Sequence, residues 1–215
     1  MIIYNNRNSF TDFDLYISEK NIPVPERKQI TETVPYMSGL WDFSFLDGVD
    51  EYDAITLVYS FDVIGDSKQE LNEQKTALIA WLHEKTDDNR LFDTDISNSE
   101  YYEVYQVKTS WSEEGLQGLL TAEFLCYPFR KSPAKTLSVE LTTEPQTIII
   151  ENKGARPIIP IITVEETATI SDGANNISLG AGAYNHALTL KRGNNTLTAS
   201  GSGVLRFTYW AEVLA

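Results

Sequence analysis

The sequence predicts a mainly β protein of the α+β class: a sheet or split barrel carrying one helix, followed by a small β-sandwich. Three observations predict it. Period-two alternation runs through AITLVYSFDV, where Ile55, Leu57, Tyr59, Phe61 and Val63 share one face, as a half-buried strand requires. Helical periodicity is convincing in one segment only, GDSKQELNEQKTALIAWLHEK. Charge and texture both change around FRKSPAKT, residues 129–136.

That change divides the chain. Residues 1–133 hold 11 Lys and Arg against 24 Asp and Glu, a net of −13, whereas residues 134–215 hold 6 and 7, a net of −1. Upstream the chain is rich in Tyr, Trp, Phe and acids; downstream it turns to Thr, Ile, Asn, Gly and Ala. Pro133 breaks any strand ladder at this point, so the expected domains are 1–133 and 134–215.

In the first domain, strand-like runs occur at DLYIS near residue 16 and KQITETVP near residue 30. Next comes GLWDFSFLDGVDEYD, residues 39–53, where Trp41, Phe43 and Phe45 share a face opposite Asp42 and Ser44. This alternation predicts a half-buried strand with its aromatics in the core. FLDGVDEYD is then a hairpin-like connection, opening at an Asp47-Gly48 turn, that returns the chain antiparallel through AITLVYSFDV. The helix, about 66–85, starts with Ser67 and Glu70 at capping-box spacing, where each side chain can satisfy a free N–H of the first turn. Leu71, Leu78 and Leu82 fall on one helix face with Trp81 beside them, and the pattern stops at TDDNR. YYEVYQVKTS from 101 and GLLTAEFLCYPF from 118 complete the set of strands.

The second domain reads as all β. TIIIEN, PIIPIITV, ATISD, NISL, HALTLKR, NTLTAS and VLRFTYWAEVL recur at short intervals between turn signals such as Asp172-Gly173 and Gly193-Asn194. Evenly spaced short strands with this punctuation predict a small sandwich.

Composition excludes several function classes. A formal charge of −14 disfavours a surface built to grip nucleic acid or an anionic membrane. MIIYNNRNSF shows no cationic and apolar leader, and no apolar run approaches the roughly 20 residues of a membrane helix. The expectation is a soluble, acidic protein made in a cytoplasm. The single cysteine, Cys126, is read as a small buried hydrophobe.

No constellation points to catalysis. His83 and His186 lie in different domains with no further His or Cys at metal-ligand spacing, so no metal or cofactor is expected. DDNRLFDTD, residues 87–95, has some calcium-loop character but lacks the Gly and closing Glu of an EF-hand, and a polar loop is the better reading. The glycines of GAGAY and GSGVL complete no phosphate-binding pattern, and no GxSxG elbow occurs. Asp47, Asp50, Glu51 and Asp53 crowd one turn, which is ordinarily a solvated loop.

Taken in order, GLWDFSFLDG, FDVIGDSKQEL, a helix closing on WLHE and a terminal sandwich ending in GSGVLRFTYWAEVL resemble the distal tail proteins (Dit) of long non-contractile-tailed bacteriophages and related prophages. The resemblance spans nearly the whole chain. It implies an N-terminal split-barrel-like domain with one helix and a C-terminal galectin-like β-sandwich. It implies a homohexameric ring at the tail tip, partnered by the tail-tube protein and by tail-tip, baseplate and receptor-binding proteins. DNA would pass through its channel without specific binding, and the protein would reside in the virion. Asp47, Asp50, Glu51 and Asp53 are then candidate subunit contacts. The alternative is a cell-wall or carbohydrate-binding module carried by the sandwich, with Tyr184, His186 and Trp210 as candidate sugar-contacting residues.

Overall fold

The computed structural model describes residues 1–44 and 50–214, which group into two compact units, Met1–Arg130 and Lys131–Val213. In chain order the first unit contains β1 (Ile2–Tyr4), β2 (Arg7–Asn8), β3 (Tyr16–Asn21), β4 (Thr31–Glu32), β5 (Trp41–Asp42), β6 (Ile55–Ile64), α1 (Lys68–His83), β7 (Arg90–Asp93), β8 (Tyr102–Glu114) and β9 (Gln117–Cys126). A short β10 (Arg130–Lys131) stands at the boundary. Seven of these strands form one open sheet in the order β2-β1-β7-β8-β9-β6-β3, antiparallel throughout, with β2 and β3 as its edges.

One face of that sheet carries the core. Leu57, Tyr59 and Phe61 of β6 stand beside Leu120, Ala122 and Phe124 of β9, all removed from solvent. Helix α1 lays Leu71, Leu78, Trp81 and Leu82 onto the same face, the stripe anticipated from the spacing. Fully burying each such side chain is worth about 1.5–3 kcal/mol. The Trp81 Nε1–H donates to the Tyr4 carbonyl of β1 at 2.8 Å, and the Phe13 ring stacks on the indole with centroids 4.7 Å apart. The Asn5 amide donates to the carbonyls of Trp81 and Glu84, both at 3.0 Å, which satisfies the last turn of the helix. At the other end, the Ser67 hydroxyl accepts from the Glu70 N–H at 3.1 Å. The Glu70 carboxylate reaches back to the Asp66 N–H at 2.8 Å, one residue earlier than the usual box.

Two expectations are corrected here. β6 does not return along the Trp41 strand: it pairs with β9 from Ile55↔Cys126 to Ile64↔Gln117, and with β3 on its other side. A ladder of that length outweighs anything the two-residue β5 offers, and β5 pairs instead with β4. Nor are Trp41 and Phe43 core residues. Trp41 is 49% exposed and Phe43 only partly covered, because no second layer faces this segment. Phe45 and the Asp47-Gly48 turn lie outside the described residues.

The second unit contains β11 (Lys135–Glu140), β12 (Gln146–Asn152), β13 (Ile161–Val164), β14 (Thr167–Ser171), β15 (Asn176–Leu179), β16 (Gly182–Tyr184), β17 (Gly193–Ser202), β18 (Val204–Tyr209) and β19 (Glu212–Val213). Eight of them form two four-stranded antiparallel sheets, β11-β18-β13-β16 and β12-β17-β14-β15. Ile162, Leu205 and Phe207 from the first sheet share one core with Ile148, Ile170 and Leu197 from the second, which makes a sandwich. HALTLKR forms no strand. Leu190 makes a single bridge to Ile158, and Leu188 and Leu190 are nevertheless buried. β11 has no counterpart among the anticipated runs.

Trp81→Ala is expected to cost about 3–5 kcal/mol, and Ser67→Ala about 1 kcal/mol. Chemical denaturation of both variants monitored by circular dichroism measures the difference.

Candidate functional site

Between β3 and β6 the chain leaves the sheet. Pro23 and Pro25 cannot donate to a ladder, so β3 cannot run on past Ile22. The chain then doubles back on itself as a narrow two-stranded ribbon. The Asp53 N–H donates to the Glu26 carbonyl at 3.0 Å, and the Lys28 N–H to the Glu51 carbonyl at 2.8 Å, around an Arg27↔Tyr52 bridge. Further out, the Phe43 N–H donates to the Ile30 carbonyl at 2.8 Å, and Thr31 and Glu32 face Asp42 and Trp41. The base is anchored by Tyr52, whose ring meets Phe129 edge-on at 5.1 Å. The tip, residues 33–40, turns through Tyr36 at φ +67° and Gly39 at φ +92°.

This arm is an unusual surface. None of the described side chains from Glu26 to Phe43 enters the core, yet Ile30, Tyr36, Met37, Leu40 and Trp41 are large, apolar and exposed. Among the described residues, Trp41 and Phe43 make ring contact with each other alone, at 6.2 Å. Isolated two-stranded ribbons are marginal in water, and contiguous exposed apolar groups mark interaction sites. Both facts make the arm the candidate interaction surface.

Three of the four predicted contact acids map onto the arm. Asp50, Glu51 and Asp53 lie on its return strand; Asp47 lies outside the described residues. Asp50 pairs with Arg27 across the ribbon at 2.7 Å, and Glu51 and Asp53 take part in the ladder through their backbones. Near the tip, the Ser44 hydroxyl and N–H hold the Asp42 carboxyl below the usual carboxylate range. The apolar tip residues escaped the sequence reading, which assigned the neighbouring aromatics to a core. Pro23, Pro25 and Pro35 were the available signal, since three prolines about one run forbid a central strand.

The candidate sugar contacts sit otherwise. The Tyr184 hydroxyl of β16 donates to the Gly180 carbonyl at 3.1 Å, and its ring packs partly on the second core. His186 is exposed on a backbone at φ +75°. Trp210 is partly covered, with the Lys131 ammonium 5.6 Å from its ring centre. No hydrogen bond or ring contact among the described residues joins the three. Cys126 is buried in β9, and burial pushes its thiol up to about 12. DDNRLFDTD is not the polar loop expected: Arg90–Asp93 form β7 with Leu91 and Asp93 buried, and at its start Arg90 chelates Asp88 at 2.7 and 2.8 Å and keeps that carboxyl low.

No protein-family model matches the sequence, and no curated protein matches it. Among solved structures, the crystal structure of Dit (gp 19.1) from phage SPP1 superposes with a TM-score of 0.68 at 17% identity, over 97% of this chain and 98% of that one. The chain has the Dit fold. SPP1 Dit is described as a paradigm of the hub adsorption apparatus in phages that infect Gram-positive bacteria. At this identity the shared feature is the fold, and Dit-like here means both β-rich units together with the single helix.

The low-lying carboxyls give a pH dependence. Asp88 is held down by Arg90, Asp95 by the Lys20 hydrogen bond and Asp42 by Ser44. Groups depressed in the folded state stabilise above their unfolded value, about 3.9, and that contribution is lost as pH falls through the folded value. The melting temperature is therefore expected to be level from pH 7 to 5 and to decline below about pH 4. Asp88→Asn should show a smaller acid decline in the same scanning-calorimetry series.

Proposed function

We propose that this protein is a non-enzymatic structural component of a phage tail tip, a distal tail protein acting as an assembly hub. In this reading the N-terminal unit forms a homohexameric ring that joins the tail tube to the baseplate or adsorption apparatus and leaves a channel for DNA. The galectin-like C-terminal sandwich faces outward toward tail-tip and receptor-binding partners. The observation that carries the reading is the exposed apolar arm, on a chain whose fold matches a hub protein from end to end.

A monomer leaves the arm uncovered and edge strand β3 unpaired along one side. A second copy offers the same features in the same stoichiometry, so cyclic closure satisfies every copy at once. The acidity agrees with a conduit role. A net charge of −13 over residues 1–133 repels phosphate, as a passage that DNA must traverse without sticking requires.

Native mass spectrometry and negative-stain imaging of the purified chain are expected to show rings of six. Replacing residues 29–43 with a short Gly-Ser turn should leave a folded monomer with an unchanged first-unit core. A ring that survives this deletion overturns the arm's role. A strict monomer that binds glycans on an array overturns the hub reading in favour of a carbohydrate-binding module.

A further inference from the structure

A cleft of about 420 Å³ opens between helix α1 and the loop of residues 11–15. Phe13 and Leu78 give it an apolar floor, and Asp12, Asp14 and Asp62 stand around it. Gln74 also lines it, and the Gln74 Oε1 is shielded from water without a hydrogen-bond partner among the described residues. A buried polar atom left unpaired costs about 1–3 kcal/mol, and a turn of the Gln74 side chain toward the cleft would let a guest supply the missing partner. The volume lies at the small end of ligand clefts, about 300–1,000 Å³, which suits one or two side chains.

The guest this lining recognises has an apolar body, a hydrogen-bonding tip and no negative charge. The arm carries one. Residues 33–41, TVPYMSGLW, contain no charged side chain, although acids flank them at Glu32 and Asp42. Tyr36 is fully exposed at the centre of this stretch. Its backbone is held at φ +67°, a conformation that costs a residue with a Cβ about 1–3 kcal/mol and persists where the surroundings or a function demand it. Tyrosine combines a large apolar ring with a hydroxyl that can donate to a carboxylate or meet either end of an amide, and it is enriched where interfaces concentrate their energy. None of the residues lining the cleft comes from the arm, so the chain does not fill its own cleft.

We infer that Tyr36 at the arm tip of one copy inserts into the α1 cleft of a second copy, its ring on Phe13 and Leu78 and its hydroxyl among Gln74 and the surrounding carboxylates. Knob and hole occupy different places on one chain, so each copy gives one contact and receives one. Such a head-to-tail contact closes into a ring when its rotation permits. This inference rests on the hub reading and specifies the contact that links neighbouring copies.

The test uses two variants of the full chain, Ser38→Cys, which stands two residues from Tyr36 and leaves its ring in place, and Ala77→Cys. Both positions are exposed, Ala77 lines the cleft, and the native Cys126 is buried and does not compete. A short bis-maleimide added to an equimolar mixture is expected to yield a covalent dimer well above the level given by either variant alone. Tyr36→Ala should weaken self-association at least about tenfold in sedimentation velocity. A mixture that links no better than the single variants overturns the proposal, as does unchanged association of Tyr36→Ala. Native masses of the same samples separate the two failures: rings without the link refute this contact and leave the hub reading standing, whereas monomers without the link remove both.

Discussion

The Trp81 indole is the contact on which the first unit depends. It is buried between sheet and helix, and it ties the helix to the N-terminal stretch of residues 4–13, some seventy positions away. Its N–H donates to the β1 carbonyl of Tyr4, its face takes the Phe13 ring, and the Trp81 backbone carbonyl accepts from the Asn5 amide. Without this pin the buried face of the helix would rest on the leucines Leu71, Leu78 and Leu82, whose non-directional contacts hold two layers together without fixing how one lies on the other. The hydrogen bonds supply the register. The Phe13 stack also carries the loop of residues 11–15 against the helix, and so shapes the wall of the cleft beside it. Fold stability and the geometry of the candidate contact thus share one residue.

Around that pin the sheet is self-sufficient and the arm is not. β6 and β9 bury alternate side chains under α1 and match each other along their whole length. The ribbon from Glu26 to Asp53 has a ladder but no layer to lie on. Beyond Tyr52, which packs on Phe129 at the base, its exposed apolar residues Ile30, Tyr36, Met37, Leu40 and Trp41 mark a candidate interaction surface. An acidic surface and an uncharged apolar tip would divide the labour in the proposed assembly: like charge would keep free copies apart, while the tip would make a short-range contact through that repulsion.

Residue patterns revealed the parts whose physics is local. The helix was legible because its cap, its apolar stripe and its polar stop all lie within one stretch of chain. β3, β6, β8 and β9 were legible because alternation reports a half-buried strand whatever its neighbours are. The short β11 and the false strand HALTLKR mark the limit. Leu188 and Leu190 are buried as that alternation suggests, but their backbone pairs with Ile158 alone, and no local signal distinguishes an alternating loop from a strand.

Strand partners and solvent exposure were decided by the assembled fold. Trp41 and Phe43 alternate with polar residues just as Tyr59 and Phe61 do, yet one pair stands in solvent and the other in the core. The residues themselves carry no difference. What differs is whether a helix lies over that face, and this depends on which strands pair, a choice made by ladders between residues some sixty positions apart. From composition and periodicity alone came a mainly β, acidic, two-part chain with one capped helix, because those properties sum over neighbouring residues. The arm, its bare aromatics and the cleft that fits one of them arise from contacts between distant segments, which no stretch of sequence contains.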